Sequence, residues 1–77
     1  MSYTRQDFGK ALMAELDKRF DVVRLSRWAM SVYLAHCHET DLELDDSIMN
    51  VVLMEEGPQF EFSERELRQM AIDLQAS

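Results

Sequence analysis

Residues 45–56 read DDSIMNVVLMEE, and the fold turns on whether they form a helix or a strand. Between Ile48 and Met54 only Asn50 interrupts the apolar run. Periodicity alone therefore permits a buried strand, paired with residues 59–62 in a short β-hairpin over 48–62. The flanks favour a helix. Asp45 or Asp46 supplies a cap, Gly57 followed by Pro58 is a typical stop, and the span suits about three turns. On a helical wheel Ile48, Met49, Val52 and Leu53 fill one broad face, Val51 and Met54 point well away from it, and Glu55 sits on its edge. A helix of a small bundle buries one face against its own chain. The surplus, Val51 and Met54, is therefore expected to form a partner surface, with methionine giving an adaptable contact.

Working outward, residues 38–44 form an acidic connector. Before it, Asp21 can cap a second helix running to about Cys37. In that helix only Arg24, Arg27, Ser31 and His38 make a polar strip. Val22, Leu25, Trp28, Ala29, Val32 and Tyr33 cover most of the circumference, which predicts a helix in the middle of the fold. Two further starts share one notation. Thr4 with Asp7 resembles a capping box flanked by a Tyr3–Phe8 staple, and Ser63 with Glu66 forms the standard box with a Phe62–Leu67 staple. Helices thus begin near Arg5 and Glu64. The first carries Phe8, Leu12, Leu16 and Phe20 at i+4 spacing, and the last carries Leu67, Met70, Ala71 and Leu74, with Ile72 off its stripe. Phe60 and Phe62 are expected to seal the end of the bundle. The expected fold is a single all-α domain over residues 1–77, a small bundle of about four helices with a central second helix.

Composition narrows the class. The chain has 77 residues, 47% of them hydrophobic, and a net charge of −7. That describes a folded domain near the lower size limit for a self-sufficient core, not a disordered acidic tail. One cysteine excludes an intrachain disulfide and suits a reducing, cytoplasmic setting. The apolar runs fall far short of the ~20 residues of a membrane span. The charge is local: from Trp28 to Glu64 there is no lysine or arginine, while nine carboxylates fall there. A field of one sign disfavours nucleic acid and anionic lipid and attracts basic partners.

The candidate constellations for chemistry are weak. His36, Cys37, His38 and Glu39, with Asp41 nearby, include every side chain zinc favours, but helical neighbours point about 100° apart and cannot converge on one ion. Asp41, Glu43 and Asp45 match the first alternate positions of a calcium loop, yet Asp46 stands where glycine is required and Val52 where a bidentate glutamate belongs. Cys37 lacks a base in reach on a helix and a glycine-rich oxyanion loop. No metal, cofactor or catalytic residue is expected.

The expected function is accordingly non-catalytic: a small acidic helical protein-interaction module, with a protein partner or self-association. The candidate partner-binding residues are Glu39, Asp41, Glu43, Asp45, Asp46, Val51, Met54 and Glu55. The alternative is an inhibitor of immunity or antitoxin type that covers a basic toxin or enzyme with its acidic 39–64 stretch.

Overall fold

The computed structural model describes residues 3–36 and 40–76, Phe60 by its backbone alone. Among the described residues four α-helices run in order: α1 (Arg5–Lys18), α2 (Val22–His36), α3 (Leu42–Val52) and α4 (Glu64–Ala76), with 3-10 turns at Leu53–Glu56 and Pro58–Phe60 between the last two. No strand forms among the described residues, so the deciding stretch is helical and the fold is all-α.

The start of α3 corrects the sequence reading. Asp41, with extended backbone, caps the helix by accepting the Leu44 N–H at 2.7 Å. Asp45 and Asp46 lie inside the first turns instead, and the Asp45 carboxylate accepts the Thr40 hydroxyl. An earlier start brings Leu44 into the helix, and the buried stripe becomes Leu44, Ile48, Val51 and Val52, the i, i+4, i+7, i+8 pattern of a core-facing helix. Val51 then lies within the buried stripe, fully covered, and its expected place in an exposed partner surface is corrected. Met54 is corrected for a second reason. After Val52 the chain tightens into a 3-10 turn, which advances side chains faster around the axis than an α-helix does. Met54 swings under the bundle and is buried, while Leu53 is turned outward. The Phe62 N–H meets the Met54 sulfur at 3.5 Å.

A buried hydroxyl marks that change of helix type. Ser26 of α2 donates to the Val51 carbonyl at 2.9 Å. Among the described residues it is the one buried polar residue, in a core built from aliphatic side chains, Met54 and Phe8. The contact fixes α2 and α3 as an antiparallel pair in a defined register, because a buried hydroxyl without an acceptor is costly.

The other pair, α1 and α4, is drawn together by a small residue. A Cβ on Gly9 would stand 2.7 Å from the Ala71 carbonyl oxygen and 3.0 Å from Leu74 Cβ, so the two backbones touch at a spacing only glycine allows. Both helices open with the expected reciprocal capping boxes. At the far end Arg68 of α4 bonds Asp17 of α1 at 2.9 Å and its own Glu64 at 3.0 Å.

Phe8 of α1 stacks on Trp28 of α2, with centroids 5.4 Å apart, and Tyr3 stacks on His36 at 4.1 Å. These ring pairs join one antiparallel pair to the other. Two expectations change here. Helix α1 stops at Lys18, so Phe20 leaves the i+4 row and is partly exposed. Helix α2 touches both α1 and α3, yet it fully buries only Leu25, Ser26 and Ala29 and leaves Val23, Met30 and Leu34 outside. Apolar composition all round did not translate into burial all round, because the two-pair arrangement offers α2 neighbours on one side only. Phe62 packs against the core as expected, whereas the side chain of Phe60 lies outside the described residues.

Candidate functional site

The acidic stretch does not assemble into one surface. Asp41 caps α3 and lies 3.4 Å from Arg5 of α1, and Glu43 pairs with the same guanidinium at 3.0 Å. The Asp41 carboxyl is held below its ordinary value, chiefly by the Leu44 N–H it accepts, with Arg5 adding to the effect. Asp45 is occupied by Thr40. Asp46 and Glu55 are exposed, and neither has an ion-pair partner among the described residues. Glu55 stands at the opposite end of α3 from Asp41, about 20 Å away at the helical rise per residue. Glu39 lies outside the described residues, and Val51 and Met54 belong to the core. Of the eight candidate partner-binding residues, the structure thus brings Asp41, Glu43, Asp45 and Asp46 together at one end of α3. It pairs two of them with the single Arg5 guanidinium and separates all four from Glu55.

Of the cysteine and histidine cluster, Cys37, His38 and Glu39 lie outside the described residues, and His36 stacks on Tyr3. Among the described residues, no group of three His, Cys, Asp or Glu side chains could hold a metal ion, and no helix is long and apolar enough to cross a membrane.

Arg24, placed by the sequence on the polar strip of the second helix, has a structural role there that the strip did not suggest. Its guanidinium reaches back from α2 to the end of α1, bonding the Glu15 carboxylate and the Glu15 carbonyl, each at 2.7 Å, and the Arg19 carbonyl. It satisfies carbonyls that a helix C-terminus leaves open and opposes the negative end of the dipole. Its Nε is buried without a partner. The Glu15 carboxyl is lowered first by the Lys18 hydrogen bond and further by Arg24. The signal was available: an arginine in the first turn after a short interhelical link lies within reach of the preceding carbonyls.

A set of apolar side chains is open on the molecule as well. Val23, Met30 and Leu34 of α2 are exposed, Leu34 at 68%; Leu42 and Leu53, at the two ends of α3, are exposed as well, Leu42 at 82%. Along α2 the sequence Val23, Arg27, Met30, Leu34 has spacings of four, three and four, which keeps all four within roughly a 60° arc at 100° per residue. Leu42, Asp46, Met49 and Leu53 repeat the same spacing along α3. Such a seam is the sequence signature of helix-to-helix packing. The row is hard to see in the sequence because it shares its helices with the core-facing apolar positions.

No known protein family, curated protein or solved structure matches the chain.

Proposed function

We propose that the chain is a non-catalytic protein-interaction domain whose contact surface is the outer side of α2 and α3. The observation that carries this reading is the exposure of Leu34 and Leu42 at the same end of an antiparallel helix pair, in line with Val23, Met30 and Leu53. Isolated apolar side chains on a surface are ordinary, but a row at seam spacing on two adjacent helices is a docking pattern. The acidic stretch contributes less than its charge suggests, since Arg5 already engages two of its carboxylates.

Capture of partners from native lysate on immobilised protein, eluted across a salt gradient, tests the reading. The wild-type protein is compared with Leu34→Glu/Leu42→Glu and with a variant carrying Asp41, Glu43, Asp45 and Asp46 as Asn. Partners indifferent to salt and lost only from the leucine variant support the apolar surface. A basic partner released at moderate salt and lost only on neutralisation supports the inhibitor role instead.

A further inference from the structure

The two outer rows have the same composition in the same order: a branched apolar residue, a charged one, methionine, and leucine. On α2 the row is Val23, Arg27, Met30, Leu34; on α3 it is Leu42, Asp46, Met49, Leu53. The buried faces show where the rows point. In α2, Trp28 turns to Phe8 of α1 and Ser26 to Val51 of α3, and the row lies beyond Ser26, away from Trp28. In α3, Glu43 meets Arg5 of α1, and Glu43 and Ser47 line an open pocket with Met70 and Leu74 of α4, which puts its row on the far side from α1 and α4. Because the helices are antiparallel, both rows lie on the same side, with Val23 level with Leu53 and Leu34 level with Leu42, and Met49 sits half-buried against the core in the middle of its row.

Building on the proposed function, we infer that this face docks a second copy of the chain. The decisive feature is charge. Arg27 and Asp46 are both exposed and neither has a partner among the described residues. A two-fold axis parallel to the helices lays α2 of one copy over α3 of the other, antiparallel, without sliding either. The layers then pair Val23 with Leu53, Leu34 with Leu42, and the central Arg27 and Met30 with Met49 and Asp46. Arg27 of each copy comes diagonal to Asp46 of the other, so the contact is self-complementary and satisfies both charges twice over, as an isologous interface requires. A lone foreign helix would need an acid and a base of its own in matching places; a second copy carries them already. The alternative axis, placing α2 on α2, would oppose two arginines on a helix with no carboxylate. The face spans two helix diameters and about 18 Å of axis, enough to bury on the order of 600 Å² per copy, the low end of specific interfaces.

Sedimentation equilibrium of the full chain tests the inference, with far-UV circular dichroism as the check on folding. A dimer is expected, weakened roughly tenfold or more by Arg27→Glu or by Asp46→Arg alone. It is expected to return to within about threefold of wild type in the combined R27E/D46R swap, since a direct pair restores what each single change removes. A wild-type protein that stays monomeric overturns the inference, as does a dimer that survives Leu34→Glu with Leu42→Glu or a swap that fails to restore association. A monomer that still captures a lysate partner through Leu34 and Leu42 overturns the dimer and leaves the interaction-domain reading standing; capture untouched by the leucine variant removes that reading too.

Discussion

Ser26 shows how one side chain ties sequence to architecture. Its hydroxyl is fully buried and bonds the Val51 carbonyl where α3 changes to a 3-10 turn. Replacing it with alanine removes the hydrogen bond that ties α2 to α3, while the Val51 carbonyl keeps the Leu53 N–H, a loss of about 0.5–1.5 kcal/mol. For a domain of this size each ~1 kcal/mol lowers the melting point by ~4–8 °C. Thermal unfolding of Ser26→Ala is expected to show that drop with helical content unchanged at low temperature. Serine at this position is uninformative in the sequence, because serines on helices are usually solvated; its role emerges only when an acceptor on another helix is placed opposite. Gly9 is similar. It reads as a weak point in a helix until the Ala71 carbonyl is found against it.

At the scale of the element, capping was the most legible signal. Thr4–Asp7 and Ser63–Glu66 both close as reciprocal boxes, because a cap is a local device whose partners lie within one turn. The start of α3 was harder, since Asp41, Asp45 and Asp46 are all competent caps and only the choice among them decides whether Leu44 joins the buried stripe. The Asp41 carboxyl is shifted below its ordinary value of 3.8, so the unfolded chain takes up a proton more readily than the folded one. Its contribution to stability is complete above that ordinary value and is lost as pH falls through the lowered one. Asp7 is lowered in the same direction, first by its backbone hydrogen bond with Thr4. Asp41→Asn keeps a good cap but removes the titration and the attraction to Arg5. It is expected to leave urea stability near pH 7 slightly reduced and to flatten the loss of stability between pH 5 and pH 2, roughly the range over which a salt-bridged carboxylate titrates; parallel urea titrations of the two proteins check this.

For the whole molecule, the outer face links function to stability. Association stabilises whatever state it binds, by mass action, and a small domain near the limit of self-sufficiency gains most from it. The melting point of the wild-type protein is therefore expected to rise with protein concentration, and that of Leu34→Glu/Leu42→Glu to be independent of it, in melts compared across a hundredfold dilution. The amino-acid sequence by itself determined the helical class, the starts of α1 and α4, the helical course of residues 45–56 and the local concentration of negative charge, because each depends on residues within a few turns of one another. Only the tertiary structure decided that Val51 and Met54 are core, that α2 buries one side alone, that Arg5 engages Asp41 and Glu43, and that the unpartnered rows of α2 and α3 share a face. Those outcomes depend on which helix lies beside which, and a helix with apolar residues on several sides leaves that choice to the packing of the whole chain.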